Sequence, residues 1–429
     1  MEKIGKYRWT ICSLVFFATT VNYLDRQVIS LLKSSLEKEF SWTETDYGNI
    51  VIAFQLSYAV GLLFAGKFID KIGTKLGYAW ATFLWSLAAI GHAFANSTLG
   101  FGVARAFLGV TEAGNFPSAI KATAEWFPKK ERALATGIFN SGTNIGAIVA
   151  PLTVPLIAEF WGWRWAFILT GMIGFIWLVL WFIYYEIPSK HKKLSKAEFD
   201  YIHSDAPDDV VKEKEESVSW ATLLSFKQTW AFAIGKFLTD PVWWFYLFWT
   251  PAFLKAEYGM TGTQVAIPIA VLYTIATFGS IYGGYLPLRF VNLGRSVFDS
   301  RRLSMLIYAF CALPVIFAQY LGSFDMWLAI LIIGIAASGH QAWSANIFTY
   351  VSDMFPKKAV GSIVGIGGMA GAIGGVLVAK IGTTLFDHYK ALGHIQTGYY
   401  IMFFFCGGAY LLAWVIMRLL VPKMESIKL

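Results

Sequence analysis

Charged and hydrogen-bonding residues interrupt long apolar runs at four places. The run over 9–33 holds Tyr23, Asp25 and Arg26 in YLDRQ, and the run over 99–124 holds Arg105 and Glu112 in VARAFLGVTEAG. The run over 229–254 holds Lys236, Asp240 and Trp243 in GKFLTDPVWW, and the run over 326–351 holds His340, Gln341, Ser344 and Asn346 in GHQAWSAN. An ion inside hydrocarbon is costly, so each is a functional candidate by default. A guanidinium grips a carboxylate with two parallel bonds and stays charged when desolvated, which makes Arg26 and Arg105 candidates for holding an organic anion. Arg105 and Glu112 stand seven positions apart, so they share a helix face about 10 Å apart along the axis. Burial favours a neutral carboxylic acid and a neighbouring guanidinium favours the carboxylate, so an anion that occupies the arginine can switch the protonation of the acid. Glu112 is the first candidate for such coupling and Asp25 the second. Because Asp25 adjoins Arg26, a fixed ion pair is an equal alternative for it.

Blander readings stand beside these. The whole set can be read as ion pairs that dock helices, a poor source of stability because desolvation offsets attraction. Lys236 and Asp240, at i,i+4 spacing before Pro241, read first as a helix-end pair, and His340 as a satisfied core donor. The GHQAWSAN stretch also offers amides and a hydroxyl suited to reading sugar hydroxyls. Tyr23, Tyr58, Trp243, Trp244 and Tyr246 are placed where a ring could stack on a sugar face, although packing is the default for Trp244. Other aromatics, including Phe64, Trp177, Trp181 and Trp414, are expected in lipid-facing or interfacial belts.

These residues need a scaffold, and the composition says which. The chain has 429 residues, 56% of them hydrophobic and only 14% charged, where a soluble protein carries about a quarter charged residues. It is therefore a membrane protein. Twelve apolar runs are each long enough to cross the bilayer as a helix: 9–33, 45–66, 76–95, 99–124, 133–159, 163–185, 229–254, 264–290, 303–320, 326–351, 359–384 and 396–420. The polar segment 186–228 divides them six and six and reads as a solvated linker between bundles 1–185 and 229–429. Basic residues sort to one side, among them Lys3, Lys6, Arg8, Lys71, Lys75, Lys129, Arg132, Arg301, Lys357, Arg418 and Lys428. The other side has Lys33, Lys38, Arg164, Lys255 and Lys390 as its main exceptions. The positive-inside rule then puts both termini and the linker in the cytoplasm. The net charge of +8 is topological and not a nucleic-acid footprint. Cys12, Cys311 and Cys406 lie in apolar runs without paired spacing, which argues against disulfides or a metal cluster. The first run is too long for a cleavable signal. No P-loop, nucleophile motif or His/Asp metal cluster is present; the chain is expected to need no cofactor or metal and not to be an enzyme.

One stretch is said twice. EWFPKKERALATGIFNSGTNIGA begins at 125 and DMFPKKAVGSIVGIGGMAGAIGG at 353, 228 positions on. Both copies follow the fourth run of their half, which implies two six-helix halves of the same orientation, the parallel repeat of carriers that rock about a midplane site. In this register His340 falls opposite Glu112. The glycines Gly137, Gly142, Gly146, Gly365, Gly367, Gly368, Gly371, Gly374 and Gly375 have small-xxx-small spacings, suited to static packing or to a sliding surface.

The segment Gly66-x-x-x-Asp70-Lys71-x-Gly73-Thr74-Lys75 resembles the loop signature of the major facilitator superfamily, and the six-plus-six layout extends the resemblance over the whole chain. It implies an all-helical fold of two pseudo-symmetric six-helix bundles, with runs 1, 4, 7 and 10 lining a central cavity. It also implies that Asp70, with Lys71 and Gly73, latches the halves near the start of the eleventh run. RAFLGVTEAGNFPS, LSKAEFDYI, FLTDPVWWF and GHQAWSANIFTYVSDMFPKK resemble the anion:cation symporters, specifically the hexuronate carriers. That resemblance implies proton-driven uptake of galacturonate or glucuronate across a bacterial inner membrane by a monomer. Arg26, Arg105, Glu112, Tyr58, His340 and Gln341 fall on positions that this branch uses for anion binding, coupling and sugar contact; Tyr23, Trp243, Asn346 and Asn144 are added here as substrate candidates and Asp25 as a second proton site. Hexuronate carriers often have a neutral residue where this chain has Asp25, whereas galactonate-type and sialic-acid-type members have an acid, so stoichiometry and the choice of sugar acid stay open. Exchange of organic anions, uptake of galactonate, glucarate or an aromatic carboxylate, and a non-transporting receptor are the alternatives.

Overall fold

The computed structural model describes residues 4–42, 44–204, 218–260, 262–423 and 427, and among these the chain is helical with no strand. The first half runs through α1 (Tyr7–Leu31), α2 (Lys33–Phe40), α3 (Glu44–Ile72), α4 (Thr74–Gly91), α5 (Thr98–Glu112), α6 (Asn115–Trp126), α7 (Lys129–Trp161) and α8 (Trp163–Tyr184). Two short helices follow, α9 (Lys196–Ile202) and α10 (Trp220–Leu224). The second half comprises α11 (Lys227–Tyr258), α12 (Ala266–Asn292), α13 (Val297–Ala312), α14 (Ala318–Gly322), α15 (Met326–Met354), α16 (Lys357–Ala391) and α17 (Ile395–Leu420). Each of the twelve apolar runs falls on one helix or a broken pair. By length and composition, eight stretches could cross a membrane: α3, α7, α8, α12, α13 with α14, α15, α16 and α17. Three of the others, α1, α5 with α6, and α11, carry the intramembrane charges, which lower the apolar character of their helices.

Two runs break where continuous helices were expected. The run 99–124 stops at Glu112 and restarts at Asn115, because Pro117 has no amide to give the Ala113 carbonyl and Gly114 eases the turn. The run 303–320 passes through a tight 3-10 turn, Leu313–Phe317, that contains Pro314. Of the aromatics expected in belts, Phe64 is 60% exposed, but Trp177 and Trp181 are fully buried. Their indole N–H groups donate to the carbonyls of Leu14 and Lys75, a use of the polar edge that hydropathy does not register.

Helix alternation gathers the Phe-Pro-Lys-Lys turns and their neighbours at one end of the bundle, the basic end; Lys3 and Lys428 lie outside the described residues. Residues 205–217 of the expected linker also lie outside them. The part of that segment just before them is docked. Glu198 on α9 is buried and accepts from the backbone amides of Tyr7 and Arg8, at 3.1 Å each, and from Arg8 Nη1 at 3.2 Å. Arg8 also pairs with Glu131 of α7 at 2.8 Å.

The halves meet along two seams, α3 against α16 and α7 against α12. Both depend on missing side chains. A methyl group at Gly66 would collide with the Gly361 carbonyl and one at Gly365 with the Leu62 carbonyl; at Gly284 it would meet the Ala133 carbonyl and at Gly137 the Ser280 carbonyl. Ala133 and Gly361, like Gly137 and Gly365, are equivalent in the 228-residue register. The remaining repeat glycines pack mainly within their halves, Gly142 and Gly146 on α1, Gly371, Gly374 and Gly375 on α11.

Candidate functional site

The midplane charges converge on a cavity between the halves. Tyr23 and Arg26 from α1, Tyr58 from α3, Asn140 from α7, Lys236, Asp240 and Trp243 from α11, and His340, Gln341 and Ser344 from α15 are on its wall. Arg26 directs Nε and Nη2 onto one oxygen of Glu112, each at 3.0 Å. Its guanidinium is enclosed by the rings of Tyr23, Phe54 and Tyr58, with centroids 4.8, 5.0 and 4.7 Å away. Such faces stabilise a cation without neutralising it. Glu112 is the last residue of α5, at the helix break, and its Oε1 is buried without a partner.

Arg105 does not bond to Glu112. It donates from Nη2 to the Arg26 carbonyl at 2.7 Å and its guanidinium lies 4.9 Å from the Phe54 ring centroid, while Nε and Nη1 have no partner. Phe54 thus contacts both guanidinium groups. Asp25 is not bonded to Arg26 either. Successive residues on a helix point about 100° apart, and Asp25 is buried on α1 beside the Thr170 side chain of α8, one turn from the unpartnered side chain of Asn22.

The second half answers with its own pair. Lys236 Nζ lies 2.8 Å from Asp240 Oδ2 and 4.2 Å from the Phe348 ring centroid. Both residues face the cavity, unlike the helix-end pair expected from spacing. His340 bonds through Nδ1 to the Tyr410 hydroxyl at 2.7 Å and stacks on Trp243 at 5.1 Å, so its ring is held. Gln341 links the halves: Asn140 donates to it at 2.8 Å and it donates to Asn144 at 3.1 Å. Asn346 does not reach the wall, since its amide donates to the Gly283 and Ala342 carbonyls. Asn140 escaped the sequence reading; its place one turn before Asn144 was the available signal.

At the basic end Asp70 is buried, and its two oxygens accept from the backbone amides of Gly361 at 3.1 Å and Ser362 at 2.6 Å in α16. Lys121, which sequence reading passed over inside its apolar run, approaches Asp70 at 3.2 Å. Gly73, with φ of 85°, makes the turn into α4 in a region side chains avoid. On the other seam Asp353 takes Arg132 of the first half at 3.4 Å and Arg301 of the second at 2.5 Å. Glu125, its equivalent in the repeat, bonds instead to Thr74 and Tyr185 within its own half. Among the described residues no group of His, Cys, Asp and Glu could hold a metal.

The Major Facilitator Superfamily model matches residues 15–379. The chain is 34% identical over 391 residues to the hexuronate transporter of Escherichia coli K12, covering 90% of this chain and 89% of that one. It is 35% identical over 290 residues to the galacturonate transporter of Dickeya chrysanthemi, covering 68% and 84%, and 28% identical over 408 residues to the D-galactonate transporter of Escherichia coli O6:H1, covering 92% and 91%. Among solved structures, a proton:xylose symporter superimposes with a TM-score of 0.76 at 15% identity over 98% of this chain and 97% of that one. An inward-facing bacterial homologue of the human lysosomal transporter Spinster does so at 0.62 and 17%, over 98% of both chains. At these identities the likeness to the solved structures is one of fold.

Proposed function

Because the chain belongs to the major facilitator superfamily, we propose that it is a proton-coupled symporter of a sugar-acid monoanion, a hexuronate such as galacturonate or glucuronate. The observation that carries this reading is the Arg26–Glu112 pair beside the cavity. A substrate carboxylate competes with Glu112 for the Arg26 fork. Displaced from its cation in a dry site, Glu112 takes a proton, so anion and proton load together and the carrier reorients without a stranded charge. Tyr58, Trp243, His340 and Gln341 read hydroxyls and ring faces; Arg105 and Asp25 support the pair from behind, with Asp25 as a second proton site. Residues 1–185 and 229–429 are the moving bundles, joined by the linker 186–228, and Asp70, Lys71 and Gly73 form the latch. The protein works as a monomer in the bacterial inner membrane, with both termini and the basic end in the cytoplasm. The hexuronate and galacturonate transporters among its relatives support this substrate class.

The D-galactonate relative and the buried Asp25 favour a second reading, symport or exchange of an aldonate. Uptake of labelled galacturonate, glucuronate and galactonate into proteoliposomes, with and without an inside-alkaline gradient, tests both. Gradient-driven accumulation that Glu112→Gln abolishes, with counterflow retained, is the expected result. Accumulation that survives Glu112→Gln removes Glu112 from the coupling role.

A further inference from the structure

Two ion pairs face the cavity, one from each half, and the proposed transport cycle uses only Arg26–Glu112. Lys236 and Asp240 are its counterpart, with side chains 7% and 18% exposed. Lys236, Asp240 and Trp243 stand at i, i+4 and i+7 on α11, so one helix face presents the pair and the ring to the cavity together.

Asp240 cannot retreat from that wall. Gly371 of α16 passes directly behind it, and a methyl group there would collide with Oδ2. Pro241 leaves the Phe237 carbonyl without its helical amide, and Gly374 closes on that same carbonyl. The carboxylate is a fixed anion in the wall of the cavity that Arg26 also lines, and Lys236 at 2.8 Å balances its charge.

A ligand that places its carboxylate on Arg26 meets this pair with its far end. Hydroxyl groups satisfy both members, donating to Asp240 and accepting from Lys236. A second carboxylate satisfies neither: Asp240 repels it, and Lys236 must be stripped from Asp240 to receive it, leaving a buried acid unpaired. We infer that Lys236–Asp240 is the specificity device of the cavity, admitting a hydroxylated end and refusing a second carboxylate, so that the ligand class is monoacids and not the corresponding diacids. This inference rests on the sugar-acid reading above.

Galacturonate and galactarate test it, since they differ by a carboxylate in place of the aldehyde carbon. Binding of each to the purified full-length protein is measured by titration calorimetry, for wild type, Asp240→Asn and Gly371→Ala. Wild type is expected to bind galactarate at least about tenfold more weakly than galacturonate, tenfold being the separation of about 1.4 kcal/mol. Asp240→Asn is expected to narrow that ratio to within about threefold by tightening galactarate, because the repulsive charge is gone and Lys236 is free. Gly371→Ala keeps every charge and displaces the carboxylate, so it is expected to reduce the ratio too, which a mere loss of charge would not require. Equal binding of the two ligands by wild type overturns the inference, as does an Asp240→Asn protein in which both affinities change by the same factor. Failure of wild type to bind either compound overturns the sugar-acid reading and this inference with it, an outcome visible before any variant is made.

Discussion

The two seams between the halves share one backbone geometry and differ in how charge closes them. In α3 against α16, and in α7 against α12, glycine lets a helix lie against a carbonyl of its partner. On the first seam a carboxylate, Asp70, takes two backbone amides across the boundary and a lysine from its own half. Beside the second, Asp353 of α15 collects Arg132 of α7 and Arg301 of α13, and those arginines also reach the carbonyls of Ser352 and Lys129. Amide bonds to a carboxylate need the helix in register and are lost with a small slide, whereas one acid shared by an arginine from each half ties the halves together by charge. The first seam is therefore suited to register and the second to cohesion.

The largest expected effect is at Asp353. Asp353→Asn leaves two buried guanidinium groups without their acid and should cost about 3–5 kcal/mol, read as a fall in the thermal midpoint in detergent. Asp70→Asn keeps the shape but only one acceptor oxygen, so it gives up one amide bond and leaves Lys121 with the Ile69 carbonyl alone, a smaller loss than two stranded arginines, about 1.5–3 kcal/mol. That loss is expected to show as a longer separation of the halves at the basic end, measured by spin-label distances between Lys192 and Arg295, with a smaller change in midpoint. If Asp70→Asn lowers the midpoint as far as Asp353→Asn, the division of labour between the seams fails. The smallest effect lies outside both. Lys75 pairs with Glu186 at 2.8 Å, with side chains about a third exposed, and this bond holds the Glu186 carboxyl below its ordinary range. The pair's contribution is present above the ordinary carboxylate pKa and is lost as pH falls through the depressed one. Lys75→Ala should cost less than about 1 kcal/mol at neutral pH, with the difference from wild type vanishing on acidification.

Much of this was legible in the sequence. Hydropathy placed the twelve runs, the rarity of intramembrane ions picked out Arg26 and Glu112, and the repeat showed two halves of one orientation. What sequence left open was direction. Asp25 and Arg26 are neighbours in the chain and diverge around α1, so adjacency suggested a pair that helix geometry forbids. Asn346 belongs to a motif that faces the cavity, yet its own amide holds α12. Glu125 and Asp353 hold matching places in the repeat, and only tertiary neighbours decide that one serves its own half and the other joins two. The breaks at Gly114 and Pro314 follow from the residues present, but an apolar run conceals them.

The docking of α9 bears on how the chain is made. All the partners of Arg8 and Glu198, from Gly5 to Tyr201, lie within the first 202 residues. A chain emerging from the ribosome begins folding from its N-terminal part. The cluster that docks α9 on α1 and α7 can therefore form before α11 is translated. Asp353 and the amides of Gly361 and Ser362 arrive later, so the two seams close on a first half whose α9 is already docked.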